Sequence, residues 1–208
     1  MFKNKKITTA LAFTALAAAF ASSGAFAQSA TGQPFVRGEI GRTTLSNRDG
    51  AGSLKDNAFV LRGGYMFNQN FGLEGFYGRY YGKTNKVAGF DNDSNVDGYG
   101  IGAIGKVRFG DTAADTGWYG MGRAGIMRSS YEAKSTGTVN GVDISYSRTT
   151  NSNQPYVGVG VGYDFTPNMG VSVNYDYFRG NVRIPSSPIN DKLRYNAKTL
   201  SAGFEYRF

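Results

Sequence analysis

Histidine and cysteine are both absent from this 208-residue chain. Without cysteine there is no disulfide framework, no thiolate metal site, no sulfur nucleophile and no lipid-modified cysteine. Without histidine, general-base chemistry near neutral pH loses its usual carrier. Proline is scarce, at five residues, and no stretch after the amino-terminal segment approaches the ~20 consecutive apolar residues of a membrane helix. A mean hydropathy of −0.36 would suit a soluble protein, but that index averages away a strand in which only alternate residues meet lipid. Plentiful instead are glycine, at 30 residues, and rings, at 15 Phe and 14 Tyr. That composition suits strands better than helices.

The two ends are the most legible parts. In residues 200–208, Leu200, Ala202, Phe204, Tyr206 and Phe208 share one face, and Ser201, Gly203, Glu205 and Arg207 share the other. At the start, Lys3, Lys5 and Lys6 precede an apolar, alanine-rich run over 7–20 and a small-x-small site, Ala25-Phe26-Ala27. Residues 1–27 therefore read as a cleaved secretory signal peptide rather than a membrane anchor, and residues 28–208 as one barrel domain. Cleavage after Ala27 removes three lysines and no acid, which takes the net charge from +8 to about +5.

Between the ends, short connections (67–71, 110–117, 165–169) alternate with long polar ones (45–56, 83–97, 131–153, 182–194). The intervening strands run over 34–44, 56–67, 71–82, 97–109, 117–130, 154–165, 170–181 and 195–208. Each is long enough for a tilted strand to cross a bilayer. An open edge would leave main-chain groups unpaired in hydrocarbon, so the sheet must close. The expected fold is all-β, an eight-stranded antiparallel up-and-down transmembrane β-barrel with short periplasmic turns and four longer extracellular loops.

Parity divides the side chains. One set holds Ile40, Phe59, Leu73, Ile101, Trp118, Ile126, Val159, Val173 and Phe204, which a bilayer tolerates. The opposite set collects Arg37, Glu39, Arg62, Glu74, Lys106, Arg108, Arg123, Asp164, Asp176, Glu205 and Arg207. Six cations against five anions is the balance expected of charges that must pair in a confined lumen. A soluble barrel would put the apolar face inside instead. Phe67, Phe71, Phe109, Trp118, Phe165 and Phe208 flank the short turns, and Tyr77, Tyr81, Tyr99 and Tyr177 lie nearer the loops, as two interfacial girdles would. Met66, Phe76, Tyr119 and Met121 join the lumen set, so the interior is expected to be plugged rather than open.

An internal echo links Gly64-Tyr65-x-Phe67-x-x-Asn70-x-Gly72 to Gly162-Tyr163-x-Phe165-x-x-Asn168-x-Gly170. It reads either as one solution to a tight turn used twice or as a duplicated half-barrel. Gly158-x-Gly160-x-Gly162 and Gly98-x-Gly100-x-Gly102 lie within strands with no helix to follow, so they make room for long side chains rather than cradle phosphate. Asp91-Asn-Asp93-x-Asn95-x-Asp97 has calcium-like spacing but lacks the sixth-position glycine and the closing glutamate. It reads as a solvated acidic loop, with a weak cation site as the alternative. A lumen carboxylate paired with arginine is a poor base at neutral pH. No enzyme, cofactor, metal or nucleic-acid partner is expected.

The leader, the alternating strands, the rhythm of short turns and long loops, and the ending Phe204-x-Tyr206-x-Phe208 resemble the OmpA/OmpX class of small outer-membrane barrels, with its Ail-like and opacity-type surface proteins. The resemblance covers the whole mature chain and implies a bacterial outer-membrane location. It further implies that Phe204, Tyr206 and Phe208 are read by the barrel-assembly machinery. Arg42, Arg79, Arg128, Arg179 and Lys198 have outward parity near the loop ends. At ~5 Å per outward residue they fall ~20–25 Å above the short turns, level with lipid phosphates. They are expected either to contact outer-membrane lipid and lipopolysaccharide by snorkelling or to belong to the loops. The functional expectation is a non-enzymatic, structural or surface-interaction protein, an adhesin or envelope stabiliser whose loops touch host or surface polymers. A narrow porin-like channel is the alternative, and a scaffold for a larger envelope complex is a third reading.

Overall fold

A computed structural model of the chain describes residues 32–47, 53–87, 90–110, 116–139, 142–183 and 192–208. The expected leader lies outside the described residues. Eight strands follow one another: β1 (Gln33–Asn47), β2 (Ser53–Met66), β3 (Phe71–Val87), β4 (Phe90–Arg108), β5 (Gly117–Val139), β6 (Val142–Asp164), β7 (Met169–Arg183) and β8 (Lys192–Arg207). Each pairs antiparallel with its sequence neighbours, and β1 pairs with β8 from Phe35↔Arg207 to Asn47↔Tyr195, closing an up-and-down barrel.

Alternation drives the closure. Along β8, Tyr195, Ala197, Thr199, Ser201, Glu205 and Arg207 are buried, while Lys198, Leu200, Ala202, Phe204 and Tyr206 are exposed. Ile40, Ile101 and Ile126 are each 66 % exposed, whereas Arg37 and Glu39 are 0 % exposed. Apolar groups thus line the outside and ions the inside, the arrangement a lipid-embedded cylinder requires.

The short-turn end is held by the motif that the sequence repeats. The Asn70 carbonyl accepts from Lys106 N at 2.7 Å, and its side-chain Nδ2 donates to the Lys106 carbonyl at 2.9 Å. Asn168 does the same to Arg207, with the same two distances of 2.7 and 2.9 Å. Each asparagine therefore clamps the strand beyond its own hairpin, satisfying main-chain groups at the rim that no ladder partner reaches. The third turn, between β4 and β5, has Gly110 and Gly117 at φ 98° and 116°, a region that disfavours residues with a Cβ.

The other end is uneven. The β2–β3 ladder stops at Phe59↔Arg79 and the β6–β7 ladder at Tyr156↔Phe178. Beyond those points β3, β4, β5 and β6 continue as a projecting four-stranded sheet, paired up to Val87↔Phe90 and Val139↔Val142. Most of the expected loops at 83–97 and 131–153 is therefore strand. Above the bilayer there is no contrast between lipid and lumen, so apolar alternation fades from the sequence. The ladder persists because main-chain pairing does not depend on that contrast.

Tyr81 departs from its expected place in the outer girdle. A register shift between Arg79 and Tyr81 against β4 reverses the parity. Tyr80 and Tyr81 are both buried, at 2 % and 4 % exposure.

Candidate functional site

Two regions carry chemistry: the lumen and the projecting sheet. The eleven expected lumen charges all lie inside, in two tiers. Nearest the short turns, Glu205 receives Arg37 through Nε at 2.9 Å and through Nη2, Lys106 Nζ at 2.5 Å and Arg207 Nε at 2.7 Å. Arg207 Nη2 also reaches Asp164, whose Oδ2 lies 2.9 Å from Arg108 Nη2. In the middle tier, Arg62 donates to Glu39 at 3.0 Å, Glu74 at 3.0 Å and Asp176 at 3.2 Å. Arg123 donates to Glu39 at 2.8 Å and to both oxygens of Asp176 at 2.7 Å. These side chains come from all eight strands, so the network cross-braces the cylinder. Gly158 makes space for it, since a Cβ there would fall onto Asp176 and Arg123.

Above the ions, rings fill the bore. Phe76, Tyr80, Tyr81, Tyr156, Phe178 and Tyr195 form one buried cluster with Val60, Val96, Met127 and Ala197. Tyr80 meets Phe178 edge-on at 5.0 Å, and Phe76 meets Tyr156 at 4.8 Å. Tyr156 Oη donates to Glu74 at 2.9 Å and so joins rings to ions. Ser129, Gln154 and Tyr195 hydrogen-bond one another, and Thr43 meets Thr199 at 2.7 Å. The sequence reading left these polar members out. Their inward parity was the signal that could have found them.

The five outward cations are exposed and fall into two groups. Pairings of Arg42 with Leu200, Thr44 and Tyr177 with Lys198, and Arg179 with Asn196 gather Arg42, Lys198 and Arg179 on β1, β8 and β7. Arg79 and Arg128 lie on β3 and β5, on either side of Tyr99 and Asp97. Arg79 Nε donates to Asp97 at 3.0 Å, and Arg179 Nε donates to Tyr177 Oη at 2.6 Å. Phe204, Tyr206 and Phe208 face outward, with Tyr206 and Phe208 edge-on at 5.0 Å.

The two faces of the projecting sheet differ. Register places the row Lys83, Ser94, Ala133 and Arg148 on the face continuous with the lumen. Flanking rows on that face hold Tyr81, Val96 and Tyr131 on the barrel side, and Ser135 and Tyr146, then Phe90, Gly137 and Ile144, further out. None of these is acidic. Asp91, Asp93, Asp97 and Glu132 all have the opposite parity, beside Lys86 and Lys134. There Asp91 meets Lys86 at 3.4 Å, and Asp93 accepts from Thr84 Oγ1 at 2.6 Å. The acidic segment thus uses its carboxylates across strands. No group of side chains fit to hold a metal occurs among the described residues.

The model of a family described as "outer membrane protein beta-barrel domain" matches residues 13–208. No curated protein matches the chain. Among solved structures, Neisserial surface protein A (NspA) is 19 % identical with a TM-score of 0.53, covering 84 % of this chain and 97 % of its own. Ail of Yersinia pestis is 18 % identical at 0.52, covering 85 % and 99 %. OprG of Pseudomonas aeruginosa is 16 % identical at 0.51, covering 86 % and 96 %. At these identities the likeness is one of fold.

Proposed function

This chain belongs to the outer membrane protein beta-barrel domain family, and from that membership we propose that it is a non-enzymatic cell-surface protein that binds anionic polysaccharide on its projecting sheet. The barrel lies in a bacterial outer membrane. Residues 1–27 serve as the export signal, the short turns face the periplasm and the sheet stands outside the cell.

The observation that carries this reading is the division of the sheet by charge. Its lumen-continuous face combines Lys83 and Arg148 with Tyr146, Tyr131 and Phe90 and has no carboxylate among the described residues. Rings stack on sugar faces, and guanidinium and ammonium groups receive sulfate or carboxylate. One solved structure of Ail is in complex with the heparin analogue sucrose octasulfate, which makes sulfated polymer the first ligand to try. The plugged lumen argues against the alternative of an open solute channel.

Retention of the detergent-folded protein on immobilised heparin tests the reading. Lys83→Gln with Arg148→Gln is expected to elute at clearly lower salt than wild type, and Lys86→Gln with Lys134→Gln on the other face is expected to elute near wild type. Equal shifts from both pairs would leave only non-specific attraction, and the reading would fail.

Two supporting roles belong to the same proposal. Arg42, Arg79, Arg128, Arg179 and Lys198 bind the phosphates of lipopolysaccharide and neighbouring lipid, and replacing all five by glutamine is expected to reduce lipid co-purification. Phe204, Tyr206 and Phe208 present the barrel to its assembly machinery.

A further inference from the structure

The lumen charges do not cancel tier by tier. Near the short turns, Arg37, Lys106, Arg108 and Arg207 share only Glu205 and Asp164. In the middle tier, Arg62 and Arg123 face Glu39, Glu74 and Asp176. Four cations on two carboxylates leave two positive charges in excess below, and two cations on three carboxylates leave one negative charge in excess above. The link between tiers is loose, with Arg37 Nη1 3.9 Å from Glu39. Charges enclosed in a barrel are costly unless they are compensated nearby.

The excess surrounds a space. A cavity of about 60 Å³ opens at the short-turn mouth, lined by Lys106, Arg108, Arg207, Gln33, Asn68 and Gln69 among others. Arg108 Nη1 is buried with no hydrogen-bond partner. Arg108 Nη2 approaches Asp164 Oδ2, but that oxygen accepts no aligned hydrogen bond. Asn68 uses its Oδ1 on the main-chain N–H groups of Asn70 and Phe71, each at 2.8 Å, which leaves its amide as a donor. A space of this size holds a few waters or one small anion.

We infer that this mouth is a binding site for a small inorganic anion, phosphate or chloride, held by Arg108 with Lys106 and Arg207 and supplied from the periplasmic side. The anion neutralises part of the lower excess and completes the hydrogen bonding of Arg108. The inference is independent of the polysaccharide proposal, which concerns the opposite end of the molecule. One competing source of negative charge nearby in sequence is the β4–β5 turn, where Asp111 and Asp115 lie outside the described residues.

The test is thermal unfolding of the detergent-folded protein at fixed ionic strength, with potassium phosphate or potassium chloride exchanged for potassium gluconate. Wild type is expected to show a saturable rise in Tm with phosphate or chloride, following the logarithm of one plus anion over Kd. Arg108→Gln is expected to abolish the dependence, and Asp111→Asn with Asp115→Asn to retain it. Should Arg108→Gln fail to fold, Arg108→Lys keeps the charge without Nη1 and is expected to weaken the apparent affinity several-fold. A flat response in wild type, or one unchanged in the Arg108 variants, overturns the inference. So does a response that appears only when the turn aspartates are neutralised, since the chain would then supply its own counter-ion.

Discussion

The lower half of the bore carries the charges, set among Phe35, Met66, Ile104, Tyr119 and Met121, whereas the upper half is filled mainly by rings. Below, Arg37, Arg62 and Arg123 engage carboxylates through aligned hydrogen bonds, so few partner geometries satisfy them. Above, Tyr80, Phe178 and Tyr195 meet edge to face, and their packing is less directional. Removing one partner from an ionic tier strands a charge inside the bore, which is costly. A ring tier tolerates small losses and keeps water out of the ions beneath it. The two tiers are therefore a lock and its seal.

Several substitutions would break that contrast or sharpen it. Glu205→Ala strands Arg37, Lys106 and Arg207 together and is expected to cost the most, about 3–5 kcal/mol, read from urea unfolding of the detergent-folded barrel. Phe178→Ala removes a ring from the seal and is expected to cost about 3 kcal/mol. In planar bilayers wild type should lack a large, stable, salt-proportional conductance, and Phe178→Ala should raise brief openings without creating one. A wide, steady pore in wild type would show that neither tier closes the bore. Asn168→Ala deletes one hydrogen bond to Arg207 O and should cost about 1 kcal/mol, seen as a lower melting temperature. Smallest is Arg79→Gln. Its pair with Asp97 lies on the exposed outer face, and such pairs contribute ~0.2–1 kcal/mol.

Strict alternation made the barrel legible from sequence, and parity alone put Arg37, Glu39, Arg62 and the other lumen charges on one side. Parity carries no information on which partner each charge chooses. Glu205 collects Arg37 from β1 and Lys106 from β4, and only the curvature of the closed sheet brings those strands together. The projecting sheet was hidden for the reason given above: Lys83, Ser94, Ala133 and Arg148 form a row with no hydrophobic period. Tyr81 was misread because a one-residue register shift leaves no mark in composition. The echo of Asn70 and Asn168 was visible, and its physical meaning came only with the carbonyls of Lys106 and Arg207. In these two clamps the shared-turn reading has a direct cause, with no need to invoke duplication.

The seam between β8 and β1 has a kinetic consequence. Glu205 and Arg207 reside on the strand that closes the cylinder, so the lower ion cluster is complete only once β8 is paired. Until that moment Arg37 and Lys106 wait without Glu205, and Asp164 waits without Arg207. Zipping shut and completing the lower ion cluster thus coincide.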